Sequence, residues 1–256
     1  MTTTDKRFTK FKPKDYLEYY YSRIDDENHS LLEFFAQAYK DVKSGSVMLE
    51  FGGGPTIYQI ISAANKVAKI DFSDYLQPNL DEVQAWKTGS AGAFDWKPFI
   101  KKALEIEGSP SDDQSVTARE ELIKGKLNDF IKADAFKSDP CGAESRGKYD
   151  VVGVSFVPEG ITDSKDIWRS SIANIATLLK PGGIMAMAAI TGADFWHSGP
   201  QTLPAVNLSA DDFKQDLPKA GLSIKDLRII TSEIPDPNHP DFTGYTGMIF
   251  IKVAKA

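Results

Sequence analysis

The stretch that most restricts this chain is Val47-Met-Leu-Glu-Phe-Gly-Gly-Gly-Pro-Thr-Ile-Tyr58. Val47, Leu49 and Phe51 form a short apolar run, long enough for a buried parallel strand and too short for a helix. Gly52, Gly53 and Gly54 follow, then Pro55, which suits a first helical turn because its missing N–H would be unpaired there. Strand, glycine turn and helix start make a place where a ligand lies against bare backbone N–H groups. The first crossover of a doubly wound sheet uses that geometry, usually for a nucleotide.

Spacing narrows the nucleotide. A dinucleotide fingerprint wants a further glycine where Ile57 stands, and a P-loop wants a lysine that the residues from Gly52 to Asn65 lack. An adenosine ligand with little or no phosphate remains, and S-adenosylmethionine fits. Glu50, ending the first strand, is placed to take that ligand's ammonium group. Asp71, read as the end of the second strand Val67–Asp71, is placed to accept from both ribose hydroxyls.

The remaining chain reads as one α/β domain over 1–256. An N-terminal lid or cap covers 1–45, a Rossmann-like core covers 46–256, and a charged helical insertion lies near 107–127. Helices are expected near 28–43, from the glycine turn to Asn65, and at 80–86, 94–106, 116–126, 164–179 and 209–220. Further strands are expected at 130–134, 149–155, 184–190, 224–232 and 245–254, with 191–208 irregular. Pro235-Asp-Pro-Asn-His-Pro240 leaves no room for a helical crossover, so the last two strands pair antiparallel. The fold class is therefore a doubly wound, mostly parallel seven-stranded sheet with an antiparallel C-terminal strand.

A net charge of −6 without a basic run argues against a nucleic-acid footprint. The single cysteine, Cys141, cannot form an intrachain disulfide, and no ligand cluster accompanies it, so no metal is expected. No apolar run approaches membrane-spanning length and the N-terminus carries no apolar signal region. A cytoplasmic monomer acting on a small molecule is expected, with no membrane partner.

Three readings stay open on the residues alone. Tyr16, Tyr20 and Tyr21 form either a packing stripe or a lid whose hydroxyls bind a carboxylate beside a sulfonium, an attraction of ~1–2 kcal/mol when desolvated. Asp134, with Ala135 after it, is either a local cap or an acceptor for an adenine amine. The carboxyl end of the fourth strand, Ser155 into Phe156-Val-Pro-Glu-Gly160, is where open α/β sheets meet their ligands.

Lys12-Pro-Lys-Asp-Tyr-Leu-Glu-Tyr-Tyr20, Gly52-Gly-Gly-Pro-Thr-Ile-Tyr-Gln59, Asn79-Leu with Trp86, Ala93-Phe-Asp-Trp96 and Leu178-Leu-Lys-Pro-Gly-Gly183 carry a specific resemblance. Across nearly its whole length the chain resembles the nicotinamide, phenylethanolamine, indolethylamine and thioether methyltransferases, one class I S-adenosylmethionine-dependent family. The resemblance implies cofactor contacts from Tyr16, Tyr21, Gly52, Gly53, Gly54, Tyr58, Asp71, Asn79, Asp134 and Ala135, and Glu50, Thr56, Phe72 and Ser155 are expected beside them from their places at the strand ends and the glycine turn. Anchored on Asp71, it requires a ribose loop about three residues longer than the family's. Glu159 falls where the family places an acid facing the substrate, and Trp196 where it has a stacking tyrosine. Tyr20, Phe156, Val157, Phe195 and His197 are expected beside them in the acceptor pocket, His197 being either a proton acceptor or a bystander, with Glu159 and Tyr16 as catalytic residues. The family's second substrate-reading acid falls at Ala189 and its hydroxyl positions at Ala193 and Ala205, so neither nicotinamide nor a catecholamine is expected as acceptor.

A neutral amine, pyridine nitrogen or thioether needs no strong base, and alignment within about 3–3.5 Å supplies ~7–11 kcal/mol of the barrier to in-line displacement. Methyl transfer to such an acceptor is the leading expectation. An alternative is cyclisation of the ligand itself, its α-amine attacking the γ-carbon to give azetidine-2-carboxylate and methylthioadenosine. A second alternative is ligand binding without catalysis.

Overall fold

The computed structural model describes residues 7–198 and 201–256. Helices α1 (Pro13–Tyr21) and α2 (Asp26–Tyr39) precede strand β1 (Ser46–Phe51). Then follow β2 (Val67–Asp74), α3 (Gln77–Lys87), α4 (Lys97–Ile106), α5 (Asp113–Lys126), β3 (Leu127–Lys132) and β4 (Tyr149–Ser155). Helix α6 (Lys165–Ala176) leads to β5 (Leu179–Thr191) and a hairpin, β6 (Phe195–Ser198) with β7 (Gln201–Pro204). Helix α7 (Ala210–Asp216), β8 (Leu222–Thr231) and β9 (Gly247–Lys255) close the chain.

The main sheet has seven strands in the order β3-β2-β1-β4-β5-β9-β8. Its pairs are parallel from β3 through β5, and β9 runs antiparallel to both β5 and β8. The central strands are buried on both faces, which their near-continuous apolar sequence requires. One face packs under α1 to α5 around Tyr39, Trp96 and Phe72, and the other under α6 and α7 around Trp168 and Phe213. Chain order reverses between β1 and β4, so their carboxyl ends open a crevice.

Three elements differ from the sequence reading. The helix expected after the glycine turn is two single 3₁₀ turns, Tyr58–Ile60 and Ala63–Asn65. Residues 57–64 are buried on every side, and Gln59 Nε2 bonds back to Gly53 O at 2.8 Å, so tertiary contacts override a regular helix already weakened by three β-branched isoleucines. Strand β2 continues past Asp71 to Asp74, since Phe72 and Ser73 pair with Glu50 and Phe51. The stretch read as irregular holds the β6–β7 hairpin, in which Trp196 faces Leu203. Helix α5 is clasped to the core by Arg119, which donates to both carboxylate oxygens of Glu107 at 3.1 and 2.7 Å and to Ile61 O at 3.2 Å.

Candidate active site

The glycine turn leaves β1 with Gly52 and Gly54 at φ of +66° and +61°, a backbone that side chains resist. Gly53 has a second reason to lack a side chain: a Cβ there would overlap the Phe72 ring beneath it. Thr56 Oγ1 and Gln59 Nε2 both donate to Gly53 O, at 2.7 and 2.8 Å, and lock the turn's outline. Phe72 is thus the floor of the turn and does not reach the cleft, which corrects its assignment as a ligand contact.

Register decides which acid faces the crevice. Phe51, the last residue of β1, pairs with Ser73, so the acid at the carboxyl edge of β2 is Asp74. Asp74 Oδ2 accepts the Gly54 N–H at 2.9 Å, and Oδ1 accepts from Leu76 N–H at 2.8 Å and Asn79 Nδ2 at 3.0 Å. Asp71 lies three residues back on the opposite face. It is fully buried and takes Lys148 Nζ at 2.9 Å, Tyr149 Oη at 3.0 Å and Asn128 Nδ2 at 2.9 Å. Burial alone would raise its pKa, but those donors outweigh it and the group stays below the ordinary carboxylate range. Asp71 is therefore a structural anion, and Asp74 replaces it in the cleft. Anchoring on Asp74 also removes the three surplus residues of the ribose loop.

Glu50 is corrected in the same way. Its side chain turns to the α1–α5 face, fills the space that Gly153 leaves, and has no hydrogen-bond partner for either oxygen among the described residues. Burial pushes its carboxyl well above the usual range, so it is held as the neutral acid under the turn.

The crevice over the turn offers about 840 Å³ of space, its mouth included. Gly52 to Thr56, Tyr58, Asp74, Asn79, Asp134, Ala135 and Ser155 line it, as does Tyr16. Phe8 and Phe11 close it from above, and Arg7 ties that segment down by donating to Ile161 O at 3.0 Å. Asn79 Oδ1 and Ser155 Oγ are buried and unpartnered among the described residues, polar groups that a nucleoside ligand would satisfy. Asp134 Oδ1 already accepts the Phe136 N–H at 3.0 Å, so its cap role and its place on the cleft coexist.

A second chamber of about 610 Å³ opens beside the first, and Tyr16, Phe156, Gly160 and Trp196 line both. Aromatic rings dominate this waist: Tyr16 sits 5.0 Å from Tyr20, 5.8 Å from Tyr21 and 6.1 Å edge-on from Trp196. Tyr21 stacks on Tyr58 at 5.2 Å. Burial pushes the Tyr16 hydroxyl up to about 12, with Asp74 and Glu159 adding to the rise and Tyr21 opposing it. Trp196 is pinned by its Nε1–H to Gly160 O at 3.0 Å. Phe156 holds φ at +56°, a left-handed backbone costly for an aromatic residue and typical of strain stored at functional sites.

Other expected acceptor contacts lie elsewhere. Val157 lines the first cleft, packed on Gly52, and Tyr20 lines the second chamber while its hydroxyl donates to His197 O at 2.7 Å. Phe195 and His197 share the opposite face of β6, where Phe195 packs on Phe242 at 6.0 Å and His197 Nδ1 meets Thr202 Oγ1 at 3.3 Å. Strand alternation turns Trp196 inward and those two away. Glu159 stands behind the wall: 1% exposed, its Oε1 accepts the Ile190 N–H at 3.1 Å. Burial lifts its carboxyl to about 8, against hydrogen bonds from backbone N–H groups. It is a neutral wall-backing acid at pH 7, not a carboxylate facing an acceptor. Asp25, Glu27, Tyr245 and Met248, which sequence reasoning missed, complete the second chamber.

Profile comparison matches residues 1–255 to the NNMT/PNMT/TEMT family. The chain belongs to that family. Nicotinamide N-methyltransferase of Sus scrofa is 28% identical over 237 residues, 90% of this chain and 89% of the relative. Indolethylamine N-methyltransferase of Mus musculus is 26% identical over 253 residues, 96% and 93% of the two chains. NodS, an N-methyltransferase of Bradyrhizobium japonicum WM9 solved with S-adenosyl-L-homocysteine, superposes with a TM-score of 0.51 at 12% identity over 91% of each chain, a likeness of fold. The protein is an S-adenosylmethionine-dependent methyltransferase, and its sheet is the mostly parallel seven-stranded one with a single antiparallel strand that the sequence implies. Among the described residues no helix is long and apolar enough to cross a membrane.

Proposed function

We propose that the enzyme methylates a small amine, N-heteroaromatic or thioether acceptor by in-line displacement, and that the acceptor is neither nicotinamide nor a catecholamine. The carrying observation is the pair of chambers that share Tyr16, Phe156, Gly160 and Trp196 as common walls. In this reading the donor lies in the cleft of β1, β2 and β4. Asp74 and Asn79 receive its ribose, Asp134 and Ala135 its adenine, and Tyr16, Tyr21 and Tyr58 its carboxylate. The donor supplies a methyl group already activated on a sulfonium. As the S–CH3 bond breaks and the bond to acceptor nitrogen or sulfur forms, the electron pair passes to the donor sulfur and the positive charge to the acceptor.

The chain's own residues align and enclose. Tyr16, Phe156 and Trp196 wall the waist through which that charge moves, with the Tyr20 ring 5.0 Å from Tyr16, an aromatic environment suited to a cation. No ready base stands there among the described residues: Tyr16 and Glu159 are protonated at pH 7 and His197 faces away. The attacking atom must therefore carry a free lone pair when it binds, which suits the three acceptor classes. Ala189, Ala193 and Ala205 are buried in apolar packing, so these positions supply none of the polar groups that the resemblance leads one to expect of a nicotinamide or catecholamine site. Cyclisation of the donor alone would leave the second chamber without a role, and transfer between chambers is the favoured chemistry. Chromatography of end products tests it. S-adenosylhomocysteine appearing only when an acceptor is added supports transfer, whereas methylthioadenosine from the donor alone overturns it.

A further inference from the structure

The second chamber changes character along its length. Where it meets the cofactor cleft its walls are aromatic and uncharged, and away from that waist they include Asp25 and Glu27 at the start of α2. No lysine, arginine or histidine lines it among the described residues, and neither acid takes part in an ion pair there. Both carboxylates have local work. Asp25 caps α2 through the Asn28 N–H at 2.8 Å, and Glu27 accepts from Tyr245 Oη at 2.6 Å and Glu233 N–H at 3.1 Å. Those bonds use neutral donors and leave two adjacent negative charges without a counter-cation. Burial holds the Glu27 carboxyl above its ordinary range, with Tyr245 and the Glu233 N–H opposing the rise and Asp25 adding to it, as expected of a carboxylate with no cation beside it. A chamber with aromatic walls and an uncompensated anionic end is built for a cation.

Resting on the transfer reading, we propose that the acceptor is bifunctional: an uncharged nucleophilic nitrogen or sulfur at the waist, and a second group, an ammonium, held at the far end by Glu27 and Asp25. The two ends have to be different groups. The atom that takes the methyl needs its lone pair, so it is neutral at the instant of attack, whereas the acids select a group that keeps its proton. The chamber thereby chooses acceptors by the charge remote from the reacting atom, through residues at the start of α2 and on the approach to β9.

The test pairs 4-(2-aminoethyl)pyridine, an ammonium at neutral pH, with 4-(2-hydroxyethyl)pyridine, its neutral counterpart. Each is titrated calorimetrically into the full chain loaded with S-adenosylhomocysteine. The ammonium probe is expected to bind at least about tenfold more tightly. In Glu27→Gln, whose amide oxygen still accepts from Tyr245, that ratio is expected to fall to within about twofold. Tyr245→Phe breaks the same clip from the other side but leaves the carboxylate, so the preference persists. Equal binding of the probes, binding of neither, or a preference that survives both Glu27→Gln and Asp25→Asn overturns the proposal. So does its loss in Tyr245→Phe to the same extent as in Glu27→Gln, which marks Glu27 as structural. Product analysis separates the two readings. Equal formation of S-adenosylhomocysteine from both probes removes this inference and leaves transfer standing, while charge-selective binding without that product removes transfer alone.

Discussion

Asp71 and Asp74 make opposite predictions for two carboxylates three residues apart. Asp74→Asn keeps the side chain's shape but removes the negative charge at the carboxyl edge of β2. In the proposed pose two ribose hydroxyls donate to this carboxylate. Hydrogen bonds to a charged group contribute about 1.5–3 kcal/mol each, and roughly half is retained by the amide, so a loss of about 2–3 kcal/mol in cofactor binding follows. That is a weakening of about 30- to 150-fold, read by titration calorimetry with S-adenosylmethionine. Asp71→Asn takes the counter-charge from Lys148 and turns an NH2 donor toward donors in the core. Breaking such a buried pair costs about 3 kcal/mol, taken at the low end because Lys148 is one-third exposed and can rehydrate. A fall of about 6–12 °C in Tm is expected, with cofactor affinity near wild type. Because the native carboxylate titrates below its ordinary value, the stabilisation it gives is present at neutral pH and is lost on acidification through the lowered pKa. The stability gap between the two proteins should therefore close in acid. Loss of binding in Asp71→Asn with normal binding in Asp74→Asn would refute the register argument.

Glu159 titrates the other way. Its folded pKa of about 8 exceeds the ordinary 4.5, so the native state is favoured below that lower value and loses up to about 5 kcal/mol as pH rises to 8. Glu159→Gln, which keeps an acceptor for the Ile190 N–H, should flatten that decline and raise Tm at pH 8; an unchanged pH profile of Tm contradicts it. Gly53→Ala drives a methyl into the Phe72 ring and should cost about 1–3 kcal/mol of stability together with cofactor affinity, seen in parallel melts and titrations. Arg7→Ala frees the segment carrying Phe8 and Phe11 and should raise KM for S-adenosylmethionine several-fold with kcat nearly constant, in initial-rate kinetics.

The sheet was legible because parallel strands buried on both faces read as apolar runs, and Val47–Phe51 and Tyr149–Ser155 stand almost where the sequence puts them. The glycine turn was legible for a steric reason, since only glycine tolerates its φ values and the contact with Phe72. The end of β2 was not, because a buried acid inside a strand mimics an acid at its edge. Asp71 betrays itself only through partners distant in sequence: Asn128, Lys148 and Tyr149, 57, 77 and 78 residues away. Glu159, Phe195 and His197 failed as pocket residues because strand alternation in β6 and a backbone bond to Glu159 decide which way each side chain points. Asp25, Glu27 and Tyr245 left no local signal, since α2 and the approach to β9 meet only in the folded chain.

A crystal structure with S-adenosylhomocysteine bound tests the central claim most directly. The two-chamber account predicts adenine beside Asp134, ribose hydroxyls on Asp74, and the sulfur at the waist between Tyr16 and Trp196, facing the second chamber. A ligand whose ribose meets Asp71, or whose sulfur points away from that waist, would contradict it.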